Sequence, residues 1–419
     1  MLQKILVKGP ALSRSGYGEQ TRFALRALRS REDLFDIYLI NTPWGTTGQI
    51  VDNGELQQWM YGVMAKTSKH VSEQGQFDLS LQVSIPPEFE KIAPVNIGYT
   101  AGIETTKVAP QWIEKSNVSV DKIITISQHS KAVFENTKYE AVNKQTGEKV
   151  PDWGLTVPVE VVGYPVRSAD PEEVDIDLTT SKNFLAVSQW GPRKNLDNTI
   201  AWFAQEFADD EDVGLIVKAN TSSDSMIDRA HTIKRLEALL KKVGDRKCKI
   251  YLIHGELSEG QLTWLYQHPT MQALINISHG EGYGLPLFEA AYNGLPVVTL
   301  TWSGQLDFLC KKNKKGKQVP HVIRVDYDVS PVQKEAVWEG VIQKDSMWAY
   351  AKEASYKRAL REAIEKQKHY RTRAQSLQKT IQQNFSEATI LEEFVSHVYE
   401  EPNEELADWL KKIEEMEVL

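Results

Sequence analysis

Cysteine is scarce: the 419 residues contain two, Cys248 and Cys310, with no redox or metal-ligand spacing between them. They suit a reduced, cytoplasmic protein and exclude a disulfide framework. No apolar run is long enough to span a bilayer and no signal peptide is read, so any lipid would be met only at a membrane surface. An excess of positive charge is missing as well. The net charge is −8, which argues against a general electrostatic grip on nucleic acid or anionic membrane. No internal repeat or low-complexity segment is found. What remains is an ordinary soluble composition, 41% hydrophobic and 25% charged, over a length that calls for more than one core.

Short apolar stretches at 4–9, 37–41, 79–84, 96–100 and 122–127 alternate with helix-like ones. The alternation resumes at 184–188, 213–219, 249–257, 271–278, 296–300 and 321–327. This pattern predicts an α/β protein with parallel sheets and right-handed crossovers. Residues 164–183 are acidic and proline-containing, and 138–154 are polar, an exposed insertion. The expected division is a first Rossmann-like domain over 1–165, a linker over 166–183, and a second domain over 184–380. Residues 381–419 are expected to form C-terminal helices, within a charged, helical region that begins near Trp348.

The chain is organised around residues 278–289, SHGEGYGLPLFE. A buried strand precedes them, and a helix with Leu287, Ala290 and Ala291 on one face follows. Pro286 suits a first helical turn and Gly294 a helix end. Glu281 then falls in the strand-to-helix loop, and Glu289 about one turn inside the helix. Gly282, Tyr283, Gly284 and Leu285 form the turn between them, where helix N–H groups can meet an anion. A second strand-to-helix junction, GPRKN, carries Arg193 and Lys194, two cations able to bracket a diphosphate, with Asn195 as a capping residue. Near the start, Gly16-Tyr17-Gly18 follows the first strand and would let a loop approach a phosphate or a sugar.

The Glu281-Gly282-Tyr283-Gly284-Leu285-Pro286 run with Glu289 resembles the signature of family-4 retaining glycosyltransferases, and PRKN is similar to a second motif of that family. The resemblance implies the GT-B architecture: two Rossmann-like domains facing each other across a cleft, with the last helices crossing back onto the first. It implies a nucleotide-sugar donor, UDP- or GDP-linked, and a hydroxyl acceptor on a glycan or lipid-linked intermediate. Glu281 would hold the donor sugar, Glu289 the ribose, Arg193 and Lys194 the phosphates, and Gly255 and Leu257 the nucleobase. Many members carry an arginine where Gln189 stands, and a histidine in the acceptor-side loop where Thr100 and Ala101 stand. Thr100 and Glu104 are the acceptor-side candidates here. No metal triad or Asp-x-Asp motif accompanies these residues, so no cofactor and no metal is expected. The LDFL and VQKEAVW stretches resemble variants from marine tailed phages, which keeps open transfer to a hydroxymethylated base in DNA. In that case the five lysines within 311–317 would hold DNA phosphates at the cleft rim, although such a run is usually a solvated loop. A nucleotide-sugar epimerase or hydrolase of the same architecture is a further alternative, as is a non-catalytic donor-binding protein.

Overall fold

The structure is a computed structural model in which residues 2–45, 47–50, 54–143 and 145–399 are described. The first half runs β1 (Gln3–Gly9), α1 (Gly16–Arg29), β2 (Phe35–Asn41), α2 (Glu55–Ser72), β3 (Leu79–Val83), β4 (Val95–Thr100), α3 (Pro110–Ser119), β5 (Lys122–Thr125) and α4 (Gln128–Asn136). A hairpin of β6 (Lys138–Val142) and β7 (Lys149–Gly154) follows, then β8 (Val159–Val161). The sheet order is β2-β1-β3-β4-β5-β8, with every pairing parallel. Residues 162–181 then cross, without helix or strand, to the second half.

There β9 (Lys182–Gln189), α5 (Leu196–Glu206), β10 (Val213–Asn220), α6 (Met226–Val243), β11 (Lys249–Ile253), α7 (Glu259–Gln267), β12 (Met271–Asn276), α8 (Leu285–Tyr292) and β13 (Val297–Leu300) alternate. After α9 (Leu306–Leu309) come a hairpin of β14 (Cys310–Lys312) and β15 (Gln318–Pro320), then β16 (Ile323–Val325). The second sheet is β11-β10-β9-β12-β13-β16, again parallel throughout. Its order reverses between β9 and β12, and that of the first sheet between β1 and β3. A crevice opens at such reversals, at the carboxyl ends of the strands.

Two stretches expected as irregular or helical form antiparallel ladders instead. The 138–154 insertion is the β6–β7 hairpin. Trp348 does not open a helix: it lies in β18 (Met347–Ala351), paired with β17 (Tyr327–Pro331), and its side chain is fully buried. Helices begin only at α10 (Glu353–Glu365), followed by α11 (Gln367–Asn384) and α12 (Glu387–Val398). Charge-rich sequence concealed that strand, because its partner lies sixteen or more residues upstream and gives no local signal. Through α12 the chain returns to the first half, where Phe394 packs edge-on against Phe23 of α1 and against Tyr99. Lys122 adds a hydrogen bond to the His397 carbonyl at 3.2 Å. Of the expected C-terminal segment, residues 400–419 lie outside the described residues.

Candidate active site

The apolar alternation of β12 buries all six of its residues, so the chain leaves the sheet at Asn276 directly into the 278–284 turn. Gly284 takes a left-handed conformation (φ +95°) that costs a side-chain-bearing residue strain, and this lets α8 start at Leu285 with Pro286 in its first turn. Gly294, also left-handed, follows the end of that helix as the residue type suggests. On the neighbouring strand β9, residues 192–194 make one 3-10 turn before α5. Asn195 stands at the start of α5 but does not cap it: its left-handed backbone turns the amide toward the Ile277 carbonyl, 3.2 Å away. The two loops that the strand reversal brings together are thereby stitched side by side.

Glu281 is the centre of the site that results from this junction. Its carboxylate receives Lys194 Nζ at 2.7 and 2.8 Å, Arg193 Nη1 at 3.0 Å, Ser278 Oγ at 2.7 Å and Asn276 Nδ2 at 3.2 Å. Its backbone N–H donates to Ser303 Oγ at 3.0 Å. Burial alone would raise this carboxyl, but Lys194 and Arg193 outweigh it and hold the group down at about 2. Burial also disfavours the Arg193 charge, yet Glu104 and Glu281 keep the guanidinium firmly protonated. The Lys194 ammonium is pushed below its ordinary value by burial and by Arg193 beside it. The site is thus a desolvated cluster of two cations shared between two carboxylates.

The second carboxylate comes from the other half. Glu104, on the loop after β4, lies 3.3 Å from Arg193 Nη2 and is mostly covered. It is therefore no solvated surface residue. Close approach makes this possible: a Cβ on Gly280 would overlap the Glu104 carbonyl oxygen. Thr100 is placed otherwise. It is fully buried, with its hydroxyl 3.0 Å from that of Tyr17, which donates to the Ala101 carbonyl at 2.7 Å, so Thr100 presents nothing to an acceptor.

Gly16 and Gly18 likewise do not form a loop; both lie in the first turn of α1, which Ser15 caps through the Gly18 N–H at 3.0 Å. The side chain of Tyr283 is also no ligand group, since it is buried among Tyr164, Phe288 and Phe308. Gly282 and Gly284 are buried, and Leu285 is half-buried at the head of α8.

Glu289 faces a separate recess of about 40 Å³ lined by Arg167, Leu262, Tyr266 and Tyr292 among others. The Tyr266 hydroxyl donates to it at 2.7 Å. Here burial outweighs the Tyr266 hydroxyl and the Arg167 charge, and the carboxyl rises to about 7. Gly255 is left-handed after β11, and Leu257, two residues on, is half-buried. Between them Glu256 pairs with Arg14 of the first half. Gln189 hydrogen-bonds the Thr221 carbonyl at 3.1 Å.

Sequence reasoning missed the props of this cluster. His279 is buried, donates from Nδ1 to the Ala349 carbonyl at 2.7 Å, and stacks on Trp348 with Tyr350 beside it. Its backbone N–H donates to the Arg193 carbonyl at 2.8 Å. The β17–β18 arm thus braces both site loops. The same arm reaches the first half through Trp112 Nε1 to the Gly340 carbonyl at 2.8 Å and Thr106 N–H to the Met347 carbonyl at 3.1 Å. Nothing in periodicity signals these contacts. The lysine tract sits in the β14–β15 hairpin, where Lys311 binds Ser376 of α11 at 2.8 and 2.9 Å and the others are exposed, as expected for a solvated loop.

Among the described residues no group of three or more His, Cys, Asp or Glu side chains could hold a metal ion, and no helix is long and apolar enough to cross a membrane. Asp-x-Asp spacings do occur in the chain, at Asp175/Asp177, Asp210/Asp212 and Asp326/Asp328; Asp175 and Asp177 are exposed on the segment that connects the two halves, Asp212 accepts from Ser181, and Asp326 pairs with Arg358.

Two parallel sheets with their strand ends apposed, and a site at the reversal of the second, constitute the GT-B architecture. Solved structures share it. The chain resembles HepE of Anabaena, solved with UDP and glucose, at 13% identity and a TM-score of 0.55, over 94% of this chain and 99% of that one. Sucrose-phosphate synthase of Thermosynechococcus elongatus matches at 13% identity and a TM-score of 0.58, over 94% and 98%. Among curated proteins, the serotype-specific mannosyltransferase WbdA of Escherichia coli is 29% identical over 123 residues, 29% of this chain and 14% of WbdA. The chain thus matches about one seventh of the length of that relative. No family model matches it.

Proposed function

We propose that the protein is a retaining glycosyltransferase of the family-4 type, moving a hexose from a nucleoside-diphosphate donor to a hydroxyl of a glycan or lipid-linked acceptor. The observation that carries this reading is the ionised, buried Glu281 clamped by Arg193 and Lys194 at the sheet reversal. The HepE structure with UDP and glucose and the mannosyltransferase likeness support the same donor class. On this reading the diphosphate takes Arg193 and Lys194 as its partners when it binds. Negative charge grows on the diphosphate as the glycosidic bond breaks, so preorganised cations there lower the barrier. Freed from part of its pairing, Glu281 faces the sugar, where positive charge develops at the reacting carbon. Glu289 takes the ribose hydroxyls, and the turn at Gly255–Leu257 borders the base. The first-half loop carrying Glu104 closes over the acceptor. The leaving phosphate itself takes the acceptor proton on the same face, which requires no histidine in place of Thr100.

The test is calorimetry with UDP and GDP, followed by proton NMR of the product formed from the donor that binds. Product with the donor's own anomeric configuration, formed equally well in EDTA, is expected. Inverted product, or turnover to free sugar alone when hydroxyl acceptors are supplied, would refute retaining transfer.

A further inference from the structure

Lys218 is a cation that the site described above does not use. It stands near the carboxyl end of β10, opposite Val187 of β9 and Ile253 of β11. Leu215, Val217 and Ala219 point into the core beneath α5 and α6. Ile216 faces the other way, into the core that holds Leu265, Tyr266 and Leu287 of α7 and α8, and side-chain alternation puts Lys218 on that face. It is half-buried, and among the described residues its side-chain ammonium makes no hydrogen bond and no ion pair.

The nearby carboxylates are engaged elsewhere. Asp224 accepts from Asn220 Nδ2 at 3.1 Å and acts on Lys218 only at a distance. Asp228 accepts from the Thr221 and Ser222 N–H groups at 3.0 Å and pairs with His254 at 2.9 Å. A covered ammonium without an acceptor is costly, and burial holds it below its ordinary pKa. Such a group suits an anion that arrives with a ligand.

The position says which anion. β10 lies between β9, which leads to Arg193 and Lys194, and β11, which leads to the Gly255 turn. A nucleoside diphosphate that runs from those cations to that turn crosses the end of β10. We infer that Lys218 is a third cation of the donor site and binds the phosphates of the nucleotide from the β10 side. This rests on the donor reading above.

The test is calorimetry of wild type and Lys218→Met with UDP, GDP and uridine. For the diphosphate that wild type binds, the substitution should weaken affinity roughly ten- to a hundredfold, the worth of a hydrogen bond to a charged group. Uridine affinity and the melting temperature should not fall, because the substitution removes an unpaired charge and keeps the apolar stem. Lys218→Arg should keep most of the diphosphate affinity. Equal UDP and GDP affinities in wild type and Lys218→Met would overturn the inference and leave the donor reading intact. A parallel loss of uridine binding would assign Lys218 to the base pocket and overturn it too. Absence of UDP and GDP binding by wild type would remove the donor reading and this inference together.

Discussion

Glu281 and Glu289 belong to one twelve-residue stretch, and the structure gives them opposite chemistry. Glu281 leaves its strand into a loop that lies against the Arg193–Lys194 turn, and two cations hold it ionised to about 2. Glu289 points from α8 into a recess rich in tyrosine, where burial outweighs the Tyr266 donor and the Arg167 charge and raises it to about 7. A motif written as two glutamates is therefore two environments. The strand reversal beside β12 supplies cations to the first, while α7 supplies Tyr266 and α8 supplies Tyr292 to the second. Neighbourhood in the fold, and not residue type, decides the protonation of each.

The largest expected effect breaks the first environment. Glu281→Gln keeps the shape and removes the charge that faces the reacting sugar, so turnover in a donor-consumption assay should fall about a hundredfold or more. UDP affinity should hold, because the neutral amide leaves the two cations free for phosphate. Loss of stability with unchanged turnover per folded molecule would show Glu281 to be a purely structural counter-ion. Lys194→Ala comes next. It should weaken binding of the nucleoside diphosphate by roughly 1.5–3 kcal/mol. Unchanged affinity by calorimetry would separate Lys194 from the phosphates.

The contrast between the glutamates also predicts two pH windows of opposite sign. Glu281 has its folded pKa depressed from 4.5 to about 2, so the stability it adds is present above about 4.5 and is lost as pH falls toward 2. Glu289 has its folded pKa raised from 4.5 to about 7. The folded state holds that proton longer than the unfolded chain, so stability falls as pH rises from 4.5 to 7, by at most roughly 3 kcal/mol. Between about pH 5 and about pH 8, urea unfolding should show wild type losing stability relative to Glu289→Gln. Nucleotide affinity should rise over the same range in wild type, because the ribose hydroxyls need the carboxylate form. A flat affinity profile would detach Glu289 from the ribose.

How much of this could be read beforehand differs between the two halves of the site. Strand and helix periodicity is local, so the alternation, the 278–289 turn and the Arg193–Lys194 junction were visible as residues. Their convergence on Glu281 was not, since it depends on β9 and β12 becoming neighbours though their paired residues lie about ninety apart in sequence. The first half was less legible for the same reason. Gly16 and Thr100 sit where a glycine loop and an acceptor loop, respectively, were expected, but Tyr17 reaches across and ties the two together. The β17–β18 arm pairs segments separated by an irregular stretch of 332–346, so charge-rich helical sequence beyond it masked Trp348 and, with it, the brace on His279.

The smallest expected effect sharpens the comparison by adding a third carboxylate. Glu104 competes with Glu281 for Arg193, but from the opposite half and at 3.3 Å, with part of the pair open to solvent. Arg193 keeps Glu281 as a partner when Glu104 is removed, so no unpaired buried charge is left and the pair is worth about 1 kcal/mol, the upper end for a pair that solvent reaches. If an incoming diphosphate has to displace Glu104 from Arg193, Glu104→Gln should tighten UDP binding by no more than about fivefold, the equivalent of that energy. The same substitution should loosen the two halves where the 101–109 loop meets the Gly280 turn. Glu104 is also the acceptor-side carboxylate the sequence offered, and the two roles part company in one experiment. A counter-ion alone gives tighter UDP binding with kcat/KM for the acceptor unchanged or raised. An acceptor contact gives the tighter UDP binding together with a fall in kcat/KM for the acceptor, and unchanged UDP affinity would mean that Arg193 keeps Glu104 while the donor is bound.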